Sequence, residues 1–395
     1  MKDKLFVFSF LGIIFLIFAF FPIKHVLIIK GVDTLNLTDN WKFFTPQIEY
    51  NVIDKVENFF NSKKVSIENR VTNYFPFYIE LNEFYQKLNF EWNRLLYDDI
   101  VPIKTNSNNE FIFYNEKDDF YYLENNYTKK DLDKMLLSQV DFFNNLSDKG
   151  MDIYIYLPTR YEFTTLKENN LNHYVEEFKN SLNEKIHIEL SDIKTTEEYK
   201  KYFYKTDHHW TIDGALQGYY SIMNMFELEP LSVTPYILKN KRYYGSIARS
   251  SMNDITYDYL SDIEETFSYD VTVNGGVAPK EFKPRTMSLR DYQYYDYYVQ
   301  YFNGQYGEII YDYHQEDKEN LLIFGDSYVW QIDYLLAASF NKTYVINLNY
   351  DFYKNHEFSL EEYVKENNID KIVFIQEGGA TMFDQYDYGY VRKVK

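Results

Sequence analysis

Leu321-Leu322-Ile323-Phe324-Gly325-Asp326-Ser327 carries four apolar residues into Gly-Asp-Ser, and residues 329–340 behind it have helical character. A short apolar run closed by a turn reads as a buried β-strand. A strand that passes directly into a helix belongs to an α/β sheet, and such sheets place their sites at the carboxyl ends of parallel strands. Ser327 therefore sits where a hydroxyl can act as a nucleophile, with its own main-chain N–H pointing inward as an oxyanion donor.

Alternation continues on both sides of this stretch. Downstream, residues 344–348 and 371–375 read as strands and residues 360–367 as a helix. Upstream, helices are expected over 130–146, 173–182 and 212–226, strands over 152–157 and 186–190, and a hairpin over 111–123 around Asn115 to Asp119. Thr211 is the expected N-cap of the helix from 212, with Asp213 favourable in its first turn. Between these halves, residues 228–320 are tyrosine-rich and lack helical periodicity, and Asn274-Gly275-Gly276 marks a hairpin turn. They read as a β-rich insertion, whose residues 291–301 include six tyrosines among eleven residues.

Some 118 residues before Ser327 the chain reads Asp207-His208-His209-Trp210. A serine hydroxyl needs a base, and an imidazole near its ordinary pKa of ~6.5 is best suited to take and return a proton. His209 is that base, and Asp207, two residues away in an irregular turn, orients it and stabilises its cation. Asp326 fixes the turn. Trp210 either walls the site, offering a sugar-stacking face, or packs in the core. Tyr244-Gly245-Ser246 and Arg249 offer a second oxyanion donor or form a simple tight turn.

The net charge of −19 and the absence of any basic stripe exclude a nucleic-acid role. With no cysteine there are no disulfides, no thiolate chemistry and no cysteine-ligated zinc. The five histidines outside the Asp-His-His string, His25, His173, His187, His314 and His356, are scattered singly, so no metal site and no cofactor is expected. Residues 5–21 form an uncharged apolar stretch of 17, extended by residues 23–29 past Lys24. No small-x-small cleavage site follows it, which favours a retained signal anchor over a cleaved signal peptide. The expected organisation is a transmembrane anchor over 1–30, a stalk over 31–70 and a catalytic domain over 71–395 outside the cytoplasm.

The Asp-His-His-Trp of residues 207–210, followed later by a strand-end Gly-Asp-Ser, resembles the DHHW and alginate O-acetylation group of SGNH-like proteins. Ordinary SGNH hydrolases place the serine first and an Asp-x-x-His pair last; in this group, and here, the order is reversed and the pair is Asp-x-His. The resemblance spans about residues 70–395. It implies an SGNH-like parallel sheet flanked by helices, with Ser327 as nucleophile, His209 as base and Asp207 as orienter. It also implies O-acetyl transfer onto a cell-surface or secreted polysaccharide, with a membrane-bound O-acyltransferase supplying acetyl groups. Arg160, in Leu157-Pro158-Thr159-Arg160, stands where the family carries a lysine and is a substrate-binding candidate. In Glu377-Gly378-Gly379 no arginine follows the glutamate, unlike the alginate proteins. Two other readings stay open, an acetylesterase with the same triad and a non-catalytic glycan-binding assembly protein; metal-dependent phosphoester hydrolysis, raised by Asp-His-His, lacks the further ligands it would need.

Overall fold

The computed structural model describes residues 78–383 apart from 106–110, 125–127, 169, 240, 265–266, 281, 284, 286–292, 349 and 351–357. The expected anchor and stalk lie outside the described residues; among those described, no helix is long and apolar enough to cross a membrane. The described elements lie in the compact unit that begins at Tyr85, apart from the first turns of the opening helix.

Helix α1 (Tyr78–Arg94) precedes an antiparallel sheet of β1 (Ile100–Thr105), β2 (Phe111–Asn115) and β3 (Phe120–Glu124). Then come α2 (Lys129–Asp148), β4 (Ile153–Leu157), α3 (Asn172–Ser181), β5 (His187–Leu190), α4 (Thr196–Tyr202) and α5 (Ile212–Met225). The middle third holds β6 (Pro235–Ile237), α6 (Ser246–Ser251), β7 (Ser261–Ile263), β8 (Asp270–Val273), β9 (Gly276–Val277), α7 (Tyr297–Phe302) and β10 (Glu308–Asp312). The chain continues through β11 (Leu321–Gly325), a 3-10 turn (Ser327–Gln331), α8 (Asp333–Ala337), β12 (Lys342–Ile346), α9 (Leu360–Glu366), β13 (Lys371–Ile375) and α10 (Gly378–Phe383).

Eight strands form the central sheet in the order β5-β4-β13-β11-β12-β10-β8-β9, and the first five run parallel. β4 and β11 are buried at every position, because helices cover both faces of a parallel sheet, and their sequences IYIYL and LLIFG are correspondingly continuous in apolar character. Leu322, Phe324 and Phe374 face one core with Phe143 of α2 and Phe178 of α3, while Leu321, Ile323 and Val373 face the other with Tyr219 and Ile222 of α5. The edge strand β5 alternates between exposed and half-buried positions, as a strand with a free side should.

The structure refines two expectations. Within the segment 228–320, expected as a β-rich insertion, β10, β8 and β9 join the main sheet and extend it antiparallel beyond β12, so they cover the edge that the last parallel strand would expose. Its β8-β9 turn is the one the sequence indicated, with Asn274 at φ 49 and Gly275 at φ 73, the left-handed pair that a two-residue hairpin loop requires. The single helix expected over 329–340 is instead a 3-10 turn and α8, separated at Ile332, whose φ of −129 lies outside helical range. Residues sequence reading left unassigned form α1, β1 and α4, the last closed by a capping box of Thr195 and Glu198.

Candidate active site

The loop from Tyr204 to Trp210 is folded back on itself between α4 and α5. Tyr204 N–H donates to the His209 carbonyl at 3.1 Å and Thr211 N–H to the Tyr202 carbonyl at 2.9 Å. The loop is then pinned from outside. Asp258 accepts from the main-chain N–H of Thr206 at 2.8 Å and from its hydroxyl at 2.6 Å, and the Thr206 carbonyl accepts from Ile247 and Ala248 at the start of α6. Thr211 caps α5 as expected, accepting from Gly214 N–H.

Ser327 follows β11 and opens the 3-10 turn. Asp326 before it accepts from Tyr328 N–H at 2.9 Å and from Glu377 N–H at 3.2 Å, which ties the end of β11 to the end of β13. Burial raises the Asp326 carboxyl to about 7. Among the described residues the Ser327 N–H donates to no acceptor, so it remains available to an oxyanion.

The two motifs meet. His209 Nε2 lies 2.7 Å from Ser327 Oγ, and His209 Nδ1 lies 3.1 Å from Asp207 Oδ2, within ion-pair reach though off the line of an N–H bond. Asp207 is buried and collects further donors: the Tyr243 hydroxyl at Oδ2, and at Oδ1 the His208 main-chain N–H at 2.7 Å and the Ser246 hydroxyl at 2.5 Å. Burial opposes its ionisation, yet the two histidines prevail and hold its pKa well below the ordinary carboxylate value. Burial, with His208 alongside, lowers the pKa of His209 against the pull of Asp207, so the imidazole is neutral at pH 7 and able to accept a proton. Burial and Asp207 keep the Tyr243 phenol protonated, as a donor must be.

His208 takes a different part. The Ser246 hydroxyl gives its one proton to Asp207, so His208 Nδ1, 2.6 Å from that hydroxyl, must be the donor to it. The donor atoms of Asp207, His208 and His209 lie within 4.8 Å of one another, the one such cluster among the described residues. Yet His209 Nε2 faces Ser327 and His208 Nδ1 faces Ser246, so a metal ion would have to displace the hydrogen bonds that align the base.

The remaining candidates fall elsewhere. Gly245 gives its N–H to Thr206 Oγ1 at 3.0 Å, so it is engaged and not an oxyanion donor; a Cβ there would lie 2.3 Å from the Asp207 Cβ, so glycine is what lets α6 approach the acid. Trp210 is wholly buried in the core beside Tyr156 and Tyr328, with no face left for a sugar. Arg160 is buried at the carboxyl ends of β4 and β13, its guanidinium committed to ion pairs with Glu162 and with Glu377 at 3.0 Å. Glu377 in turn caps α10 by accepting from Gly379 and Ala380 N–H. Arg249 binds Asp296 at 2.7 Å, joining α6 to the residue that caps α7. Sequence reading missed Tyr243, Tyr298 and Tyr328, which touch these residues from segments without local periodicity, and took Ser246 for part of an oxyanion turn where it binds Asp207; the only signal for the tyrosines was the tyrosine-rich run holding Tyr298.

No protein-family model and no curated protein sequence matches the chain. Solved structures do match in fold. Bacillus cereus PatB1 with a sulfonyl adduct superposes at a TM-score of 0.56 with 20% identity, covering 71% of this chain and 98% of that one. A second Bacillus cereus PatB1 structure gives 0.54 and 22%, covering 71% and 100%. A DHHW family protein from Eubacterium siraeum gives 0.52 and 14%, covering 71% and 94%. The fold is thus shared with a structure of the family that the Asp-His-His-Trp resemblance named.

Proposed function

We propose that the protein is an extracytoplasmic O-acetyltransferase that acetylates a cell-surface or secreted polysaccharide through an acetyl-Ser327 intermediate. The observation that carries this reading is the 2.7 Å contact between Ser327 Oγ and a buried His209 backed by Asp207. His209 Nε2 takes the hydroxyl proton as Oγ attacks the acetyl carbonyl, and the Ser327 N–H stabilises the resulting oxyanion. Asp207 stabilises the imidazolium, which then returns its proton to the leaving group as the donor's bond to the acyl carbon breaks. A sugar hydroxyl, deprotonated by the same nitrogen, attacks acetyl-Ser327 and leaves as the ester while Oγ regains its proton. Acetyl groups come from a membrane-bound O-acyltransferase, and the uncharged stretch 5–21 holds the chain at that membrane. The fold shared with PatB1 and the DHHW protein supports a general O-acetylation role.

The test uses full-length protein, Ser327→Ala and His209→Ala with a chromogenic acetyl ester, with and without an oligosaccharide acceptor, and mass spectrometry of the products. Both variants lose on the order of 10³-fold or more of turnover, and wild type yields acetylated sugar. Acetate as the sole product means an esterase. Turnover untouched by either substitution overturns the triad.

A further inference from the structure

Four tyrosines of the run over residues 291–301 are buried. Tyr294, Tyr297, Tyr298 and Tyr301 are each at most 1% exposed, so their rings serve the interior. One of them reaches the triad. The Tyr298 ring lies on the His209 imidazole with centroids 3.9 Å apart and planes at 10°, and its hydroxyl donates to the Ser327 carbonyl at 3.0 Å. Tyr298 therefore touches the base and the nucleophile at once, though these come from segments 118 residues apart.

Its own placement is fixed. Trp330 stacks beside it at 5.8 Å and Phe302 lies 4.8 Å away. Asp296, two residues earlier, accepts from Val299 N–H at 3.1 Å to start α7 and is paired with Arg249. The His208 ring also lies 3.9 Å from the imidazole, at 36°, and two rings that close cannot share one face. The base is thus held between Tyr298 and His208. The Ser327–Tyr328 peptide is held at both ends as well, its carbonyl by Tyr298 and its N–H by Asp326.

We propose that Tyr298 is a positioning residue: it holds the imidazole of His209 in register with Ser327, and its π face stabilises the imidazolium that forms when the proton is taken. An aromatic face stacked on a desolvated cation is attractive, while against the neutral ring it gives contact alone. The other groups facing His209 are Asp207 and His208 on its own loop, Ser327 and Tyr328 on the 3-10 turn, Tyr243 and Arg249 through Asp207, and Asp296 at the start of α7. None of them replaces a parallel ring. The proposal rests on the triad reading, but its test does not require that acyl transfer occur.

Selective ¹³Cε1-histidine labelling of the full chain resolves seven histidines, and His209→Gln assigns the resonance of interest. The pKa and tautomer of His209 are then read in wild type, Tyr298→Phe and Tyr298→Leu. Phenylalanine keeps the stack, so the His209 pKa stays within about 0.2 units of wild type. Leucine removes it, and the pKa falls by about half a unit as the cation loses its partner. Thermal melts of both variants separate this from unfolding. A Leu variant that is folded and keeps the wild-type pKa overturns the proposal, and so does a Phe variant that shifts as far as Leu. Absence of acetyl transfer by wild type would count against the proposed function and leave this readout unaffected.

Discussion

At the residue scale, the chemistry depends on which proton sits where. Asp207 is ionised and saturated with donors, so the Nδ1–H of His209 faces it and the lone pair of Nε2 faces Ser327. Because burial lowers the His209 pKa, the rate of any reaction needing the neutral base rises with pH, reaches half its plateau below the ordinary imidazole value of ~6.5 and levels off above it. The sign follows from the base being active only when unprotonated. Second-order labelling of Ser327 by a sulfonyl fluoride, followed by intact mass between pH 4.5 and 8, measures this without a known acceptor. A midpoint above pH 7 would contradict the account of a desolvated imidazole. Asp207 and His209 were legible from sequence because a carboxylate two residues from a histidine is a local pattern. The contacts of Tyr243 and Ser246 that complete the acid's surroundings were not, although Ser246 was singled out for a different role, because nothing in their own neighbourhood marks a contact made 36 and 39 residues away.

At the element scale, α6 acts as a wedge. Its first N–H groups hold the Thr206 carbonyl, its Ser246 binds Asp207, and its Arg249 reaches to Asp296 at α7. All of this requires the backbone at Gly245 to approach Asp207. Gly245→Ala places a methyl 2.3 Å from the Asp207 Cβ, so either the helix or the acid must move. The expected result is a drop of ten-fold or more in Ser327 labelling, with a loss of about 1–3 kcal/mol in stability by urea denaturation. Wild-type labelling in this variant would show that α6 yields without disturbing the acid. The strands and longer helices were readable from their apolar runs and caps, as β11, β13 and Thr211 at α5 illustrate. The break at Ile332 was not, since the residues on either side are apolar and suit a helix.

Across the whole molecule, the middle third completes both the sheet and the site. β10 covers the edge of β12, while Lys283 from the same third is buried against Asp333 of α8 and donates to the Trp330 carbonyl at 3.0 Å. That ion pair fastens the added segment to the turn that carries Ser327. Lys283→Met removes one partner and leaves the Asp333 carboxylate buried, which costs ~3–5 kcal/mol. Chemical denaturation reads that loss, and the double variant Lys283→Met/Asp333→Leu recovers most of it. A single variant as stable as wild type would mean that the two regions are held together by other contacts.

The sequence alone determined the α/β alternation, the strand that ends at Ser327, the hairpin at Asn274-Gly275 and the two motifs, Asp207-His208-His209 and Gly325-Asp326-Ser327, that the fold brings into contact, because each is written in neighbouring side chains. Tertiary structure alone decided that β10, β8 and β9 would join the main sheet, that Gly245, Arg160 and Trp210 would serve packing and ion pairing, and that a buried tyrosine would lie on the base. Those outcomes follow from contacts between distant segments. Such contacts are selected by the shape and polarity of the assembled core and leave no period or spacing in the chain.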